Sequence, residues 1–443
     1  MLYRFIIDNY RSFGETTQFD MFPNPKRENM KDHVYSNNGV QLLKMAALYG
    51  ANGAGKSNLI KALSFLKTLC TGMEAYSQKD WYKTWYLKNR FRLPSRDNNV
   101  PISMLMEFST QLHTYIYNIE ISIEGISKEE LSISGLGENE NIPIYVREKK
   151  HVMFYGMEIP EAIRELFDRQ LTTLPGSTVL AINSILQFIK NDILTDAYNW
   201  LRYDFVVIGA DNNIPHIIDL YFRDKNLTQF TSNFMAKIDA GIQSMRMENK
   251  PFEEWLNNMD ETERDNILHS FPEGNNNTFI RVEDNRPSFF VHEEGGKRIV
   301  SEILFSQLGE NGYVDDMDIQ AQSDGTVRLF VLLPYIYWAC KRDMCIIVDE
   351  LNRSIHPHLT REIVRFFGKQ QTKGQLIFTT HEDYLLDQRE LLRPDEIWML
   401  DKKDAVTRLY SLNSFKLHKT LSVQNGYMEG RYGGVPDLDI NNE

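Results

Sequence analysis

The chain has 443 residues, 42% apolar and 25% charged, with a formal net charge of −12. That is ordinary globular composition, which excludes collagen-like, disordered and disulfide-scaffold chains, and at about 150 residues per domain it allows roughly three domains or one large composite fold. The balance of 49 basic against 61 acidic side chains excludes a bulk polyanion binder but leaves room for a local basic groove. The three cysteines, Cys70, Cys340 and Cys345, sit among apolar neighbours with no Cys-x-x-Cys pair, so buried thiols are expected, not a metal site or disulfide frame. Residues 1–8 include Arg4 and alternate like a strand, unlike a signal peptide. The longest uncharged apolar run, 329–340, contains Pro334 and is shorter than the ~20 residues of a membrane-spanning helix. The expected location is the cytoplasm, with no membrane contact.

In chain order, residues 2–7 alternate as a strand and 18–21 pair with it. Residues 23–38 are polar and rich in Asn, Lys and Pro, and read as loop. Residues 42–49 form an apolar run into a glycine-rich turn. After it Leu59, Ile60, Leu63, Leu66 and Leu69 recur at the spacing of a buried helix face. Short runs at 102–108, 115–123, 142–147 and 152–155 predict an antiparallel meander. Helices follow at 160–171, 177–193 and 195–201, then a buried strand at 203–208 and a charged helical stretch over 227–271. Strands are expected at 278–282, 289–292 and 298–304, the last two joined by a hairpin turn at Glu294-Gly295-Gly296. The final third alternates: helix 326–340, strand 345–348, helix 357–367, strand 376–379, a helix around 382–386, and strands 397–400 and 407–412. That order argues for an α/β sheet. No tandem repeat, sustained heptad or low-complexity tract occurs.

Gly50-Ala51-Asn52-Gly53-Ala54-Gly55-Lys56-Ser57 fits G-x-x-x-x-G-K-[ST] completely, between an apolar strand and a helix. Glycines let the backbone N–H groups wrap a phosphate, and the helix points its positive end at the anion. Lys56 adds a charge for the β- and γ-phosphates, and Ser57 can ligate Mg²⁺. The strand at 345–348 ends in Asp349-Glu350, which a parallel sheet would leave at its ligand-binding edge. There Asp349 would hold the Mg²⁺ water shell and Glu350 would orient or deprotonate the attacking water. The apolar strand from Gln375 ends in Thr379-Thr380-His381, where the histidine could hydrogen-bond a γ-phosphate. Ser323-Asp324-Gly325-Thr326 opens a helix and suits either an anion or an ordinary N-cap. From Ser57 to Asp349 is 292 positions, so a meander and a helical section are inserted between the two motifs.

The order of these motifs resembles that of ABC-class ATPase heads of the RecF/SMC-like branch, and more closely the AAA ATPases of the RloA and abortive-infection type. Asn9-Tyr10-Arg11-Ser12-Phe13 is similar to that branch's N-terminal Asn-Phe-Arg-Ser-Phe motif. Ser323-Asp324-Gly325-Thr326-Val327-Arg328-Leu329 resembles its signature, and 349–357 its extended carboxylate and D-loop segment. Gly430-Arg431-Tyr432-Gly433-Gly434-Val435-Pro436 resembles the family's C-terminal end. The signature starts Ser-Asp-Gly, not Ser-Gly-Gly, and position 352 is Asn where relatives commonly carry an acid. Gln187 is the candidate Q-loop glutamine. Nothing is recognised over about 210–300.

The resemblance implies an α/β ABC-ATPase head: a P-loop sheet with helices, an antiparallel β-meander lobe and an inserted helical subdomain. The expected boundaries are 1–155, 156–300 and 301–443. It implies ATP and Mg²⁺ as cofactors. Gly50, Asn52, Gly53, Gly55, Lys56, Ser57, Asn58, Arg11 and Ser12 would contact the nucleotide, Ser57 and Asp349 the metal, and Glu350, His381 and Lys56 would act in catalysis. It further implies an ATP-sandwich homodimer in which Ser323 and Gly325 meet the γ-phosphate held by the other subunit. The implied setting is bacterial anti-phage defence beside a separate effector such as a TOPRIM-type nuclease. The alternative is a RecF/SMC-like DNA-binding ATPase.

Four segments suggest rivals. Asp401-Lys402-Lys403-Asp404 resembles a guanine-reading Asn-Lys-x-Asp but starts with Asp, and a polar hairpin turn explains it. Asp315-Asp316-x-Asp318 could bind a metal, although an acidic solvated loop explains it better. Arg147-Glu148-Lys149-Lys150-His151 invites an RNase reading and is more simply a basic turn. Lys83, Lys88, Arg90, Arg92 and Arg96, interleaved with Trp81, Trp85, Tyr86 and Phe91, are a candidate nucleic-acid contact.

Overall fold

The computed structural model describes residues 1–72, 80–93, 99–209, 214–238, 241–269, 278–280, 289–386, 391–416 and 422–435. The chain divides into two compact units. The first comprises Met1–Ile208, Ala339–Leu351 and Arg361–Glu443, and the second Gly209–Trp338 and Asn352–Thr360. Arg96 and Pro436 lie outside the described residues, as do 281–282 of the expected strand and 270–271 of the expected helical stretch.

The first unit holds two large sheets. In the six-stranded one the order is Phe205–Ile208, Cys345–Val348, Gln375–Thr379, Met45–Gly50, Ile397–Lys403 and Val406–Ser411. The first five run parallel and the last is antiparallel. Strands Met45–Gly50, Cys345–Val348 and Gln375–Thr379 are buried along their whole length, as strands covered on both faces must be. The second sheet is an antiparallel meander in the order His151–Phe154, Ile142–Glu148, Gly125–Ile133, Thr114–Ser122, Ile102–Ser109, Leu2–Asp8 and Thr17–Asp20. Helix Lys56–Thr71 puts Leu59, Leu63, Leu66 and Leu69 into one apolar cluster with both sheets. These are the parallel α/β sheet and the antiparallel meander expected from the sequence.

Several elements differ from the sequence expectation, each for a local reason. Val34–Asn37, expected as loop, is a strand paired with Val40–Leu43. The Asn38-Gly39 turn between them has φ of 49° and 80°, the two-residue hairpin signal. Gly125–Ile133 is a further meander strand whose charged middle hid it. Its Glu129 is fully buried against Arg147 at 3.3 Å and accepts from the Tyr117 and Tyr145 hydroxyls and the Val179 amide. The helix expected over 177–193 stops at Leu186, because Asn183 clamps both backbone groups of Ile189 and Gln187 turns left-handed. The expected helix around 382–386 is a 3-10 turn, Asp383–Leu386.

The second unit contains a five-stranded antiparallel sheet, in which Lys297–Leu308 pairs with Ile242–Pro251, Phe289–Glu294 and Val314–Met317, and Thr278–Ile280 pairs with Phe289–Glu294. Ile242–Pro251 therefore breaks the helical stretch expected over 227–271: Lys225–Ile238, Phe252–Asn257 and Glu261–His269 are helices, and the strand lies between them. A small core of Phe252, Trp255, Leu256, Ile267, Val291 and Val300 supports this sheet. No helix among the described residues is long and apolar enough to cross a membrane.

Candidate functional site

The phosphate loop leaves the carboxyl end of Met45–Gly50 at the middle of the parallel sheet. Its glycines are sterically required at two points. A Cβ at Gly50 would fall 2.6 Å from the Leu400 carbonyl oxygen, and one at Gly55, where φ is 118°, 2.5 Å from Thr407 Oγ1. Helix Lys56–Thr71 starts with no side-chain cap, so its first amides face the loop unclaimed by a capping side chain. Lys56 is buried and folds back to donate to the Gly50 carbonyl at 2.6 Å and that of Ala51 at 3.2 Å. Burial lowers its pKa to about 8, against the opposing pull of Asp349 and Glu350. Asn52 and Gly53 stand exposed at the loop tip, and Ser57 is half-buried in the first helical turn.

Asp349 and Glu350 follow the buried strand Cys345–Val348, and the Asp349 amide still donates to Ile208 of the neighbouring parallel strand. Thr379, fully buried, organises the pair. Its hydroxyl donates to Asp349 Oδ1 at 2.7 Å and accepts from the Glu350 amide at 2.7 Å, while its carbonyl accepts from Leu351. Glu350 sits at φ 52°, a strained conformation for a non-glycine residue. His381 lies exposed two positions beyond Thr379. Desolvation and then the charge of Lys56 hold its pKa below the ordinary histidine value, with Glu350 and Asp349 acting the other way. The Tyr49 hydroxyl donates to the Glu382 carbonyl and so ties the histidine turn to the phosphate-loop strand.

The N-terminal turn packs on the same loop. Arg11, at φ 50°, donates from Nε to Asn89 Oδ1 at 2.8 Å and from Nη1 to Asn58 Oδ1 at 3.4 Å. Asn58 Nδ2 donates to Ser12 Oγ at 2.8 Å, so this side chain, expected at the nucleotide, is committed to Ser12 and Arg11. Thr407 Oγ1 lies 2.8 Å from both Ser12 Oγ and the Ala54 carbonyl oxygen. In the sequence Thr379 stands in the Thr-Thr-His strand end with no role assigned to it, and Thr407 only opens an expected strand. The role of neither hydroxyl is local, because the partners of each lie elsewhere in the chain.

In the second unit, Ser323 Oγ accepts from the Thr326 amide at 3.2 Å, the ordinary N-cap bond at the start of helix Asp324–Lys341. Gly325 is a close-approach glycine: a Cβ there would lie 2.6 Å from the Ser354 carbonyl oxygen. Gln187, in the first unit, is an exposed left-handed C-cap of helix Val179–Leu186.

The rival sites fare poorly. Asp316 forms a two-pronged ion pair with Arg246 at 2.5 Å and accepts from Ser306, and Asp318 caps the amides of Gln320 and Ala321. No cluster of three metal-ligating side chains occurs among the described residues. Asp401, Lys402 and Lys403 end strand Ile397–Lys403, paired with Arg408, Thr407 and Val406, and Asp404-Ala405, at φ 51° and 68°, is the hairpin turn. Arg147 is buried under its basic turn. Trp85 stacks on Phe65 at 3.9 Å, Trp81 stands 6.1 Å from Phe65, and Tyr86 and Phe91 are buried, so these rings are committed to the core and not displayed for bases.

The structure is similar to three solved SMC heads. One, titled "Crystal structure of the SmcHead bound to the C-winged helix domain of ScpA", has 13% identity, 96% coverage of this chain, 99% of that chain and a TM-score of 0.47. The SMC head domain from Thermotoga maritima has 11% identity, 94% and 99% coverage and a TM-score of 0.39. The Smc head with an extended coiled coil bound to the C-terminal domain of ScpA from Pyrococcus furiosus has 11% identity, 97% and 99% coverage and a TM-score of 0.39. No match was found among curated proteins. The sequence itself matches a protein family over residues 45–166 and 193–387, which is more than half of the chain and includes the phosphate loop, the Asp-Glu pair and His381. The chain belongs to that family, described as "AAA domain, putative AbiEii toxin, Type IV TA system".

Proposed function

We propose that the protein is an Mg²⁺-dependent ATPase that closes as a two-fold dimer and switches a separate effector in anti-phage defence. One observation carries the ATPase reading: Lys56, Asp349, Glu350 and His381 leave neighbouring parallel strands at one sheet edge and act on one another electrostatically. The residues fit the cofactor. The glycine loop opens onto an uncapped helix start, and a desolvated lysine resting on loop carbonyls is a cation awaiting a better partner. ATP would take the loop amides and Lys56. Mg²⁺ would lie with the Ser57 hydroxyl and the Asp349 carboxylate, and supplies charge neutralisation at the phosphates when bound. Glu350 is then the acid placed to orient or deprotonate water, and His381 a polar contact for the γ-phosphate. Gly50, Gly53, Gly55 and Asn52 shape the cradle, with Arg11 and Ser12 beside it.

One chain carries one phosphate loop and one Ser323-Asp324-Gly325 segment. A two-fold dimer gives two shared sites, with Ser323 and Gly325 completing the site on Lys56 of the partner subunit. The family's description includes a toxin of a toxin–antitoxin system, which supports a role in conditional growth control or defence. The RloA-like assignment and a TOPRIM-type effector rest on the motif resemblance. The aromatic rings packed on Phe65 weigh against a single-strand-binding platform.

Four outcomes are expected. Lys56→Ala loses ATP binding, whereas Glu350→Gln keeps affinity and lowers turnover roughly 10²-fold or more, since that acid acts on water. Calorimetric titration with steady-state turnover checks this, and equal loss of affinity in both variants contradicts the roles. ATP affinity is also pH-dependent. A bound phosphate stabilises the ammonium form of Lys56, so affinity is full below pH about 8, the free lysine's pKa, and falls by up to about tenfold per unit as pH rises through it. A flat dissociation constant from pH 7 to 9, with no proton uptake on binding, is the contrary result. Turnover per chain rises with protein concentration, and mixing Lys56→Ala with Gly325→Asp chains regains activity at the one intact composite site. A rate independent of concentration discards the sandwich. Finally, purified protein with ATP and Mg²⁺ or Mn²⁺ leaves DNA and RNA intact, and its effect in cells requires a second protein. Cleavage that survives Lys56→Ala but is lost on changing Asp316 and Asp318 sinks the switch reading.

A further inference from the structure

We infer that Thr407 is a positioning residue of the phosphate loop: its hydroxyl fixes the Ala54–Gly55 peptide so that the Gly55 N–H faces the phosphate. The argument begins with proton counting. Thr407 Oγ1 is 2.8 Å from Ser12 Oγ and 2.8 Å from the Ala54 carbonyl oxygen, but it has one proton. The Ala54 carbonyl can only accept. Arg11 Nη1 can only donate, and it reaches Asn58 Oδ1, which orients that amide with its NH₂ toward Ser12. Asn58 therefore donates to Ser12, and the single Thr407 proton is shared between Ser12 Oγ and the Ala54 carbonyl, both acceptors at 2.8 Å. Ser12 Oγ can take its proton from Asn58, whereas the Ala54 carbonyl has Thr407 as its side-chain donor, so the run ends on the phosphate-loop backbone.

The geometry around this run is closed. Thr407 is 1% exposed and Ser12 8%, so water has little room to replace either hydroxyl. The Thr407 amide donates to the Ser12 carbonyl at 2.7 Å, which holds the two residues in register. Gly55 takes φ 118°, and any side chain there would strike Thr407 Oγ1 first, so the last glycine of the loop and this threonine fit only each other. In a trans peptide the C=O and N–H point opposite ways. With the Ala54 carbonyl held toward Thr407, the Gly55 N–H is turned to the other side, where a phosphate-wrapping loop needs it. The residue that sets this lies 353 positions away, on the antiparallel edge strand Val406–Ser411.

This inference rests on the nucleotide-binding reading, and the experiment keeps the two apart. The dissociation constants of ATP and ADP are measured by calorimetry for wild type, Thr407→Val, Thr407→Ser and Lys56→Ala, together with nucleotide-free melting temperature, KM and kcat. Thr407→Val, which keeps shape and loses the hydroxyl, is expected to weaken ATP and ADP alike by about tenfold, the worth of one neutral hydrogen bond. The loss appears in KM with kcat nearly unchanged, and Thr407→Ser restores it. Thr407→Ala replaces the valine variant if that chain does not fold. A hydroxyl-less variant that binds both nucleotides as wild type does, or that loses kcat or melting temperature alone, overturns the positioning role. Failure of the wild type to bind ATP, or binding by Lys56→Ala equal to it, overturns the nucleotide reading itself and the inference with it.

Discussion

The site depends on parallel strand pairing. Cys345–Val348 pairs residue for residue with Gln375–Thr379, which pairs in turn with Met45–Gly50. Because all three run the same way, the segments that follow them emerge at one edge. Those segments carry Asp349 and Glu350, His381 and the phosphate loop. Reversing any one strand would move its loop by the strand's length, ~17 Å for five residues, and would separate the lysine from the acids. The long insertion between the motifs has no bearing on this, since the ladder and not the intervening chain sets where the strands meet.

Buried polar side chains then hold the ladder to its surroundings. Gln375, at the amino end of its strand, accepts from the Leu2 amide at 2.7 Å and donates to the Leu2 carbonyl at 2.9 Å, which stitches the parallel sheet to the antiparallel lobe. Thr379, at the other end of the same strand, aligns Asp349 and Glu350. In the lobe, Arg147 donates to Glu129 and to the carbonyls of Lys149 and Pro175. Removing one partner from such a buried ion pair typically costs about 3–5 kcal/mol, because the other charge is left uncompensated. Low dielectric makes these groups specific: each is satisfied in one arrangement and costly in any other.

Two of the chain's positive-φ non-glycine residues lie where the chemistry is proposed. Glu350 and Arg11 both occupy left-handed φ without being glycine. Such residues persist when their surroundings over-determine them. Thr379 does this for Glu350, and the Asn89 carbonyl, which accepts from the Arg11 amide at 2.6 Å, does it for Arg11. The proposed water-activating acid is thus held at its backbone amide by Thr379.

The sequence by itself determined the local pieces. A strand, a glycine loop and a helix in succession, an apolar strand ending in two acids, and another ending before a histidine are each complete within a few residues. The main chain dictates them through φ freedom, apolar runs and helix polarity. The Val34–Asn37 hairpin reads as loop because its polar composition masks the Asn38-Gly39 turn signal. Gly125–Ile133 and Ile242–Pro251 were not legible, because their charged positions are neutralised by partners on other strands. The tertiary structure alone decided which hydroxyls matter. The sequence assigns no role to the Thr379 or Thr407 hydroxyl, since a threonine's role is set by what its one proton meets, and here the acceptors lie 30 and 353 positions away.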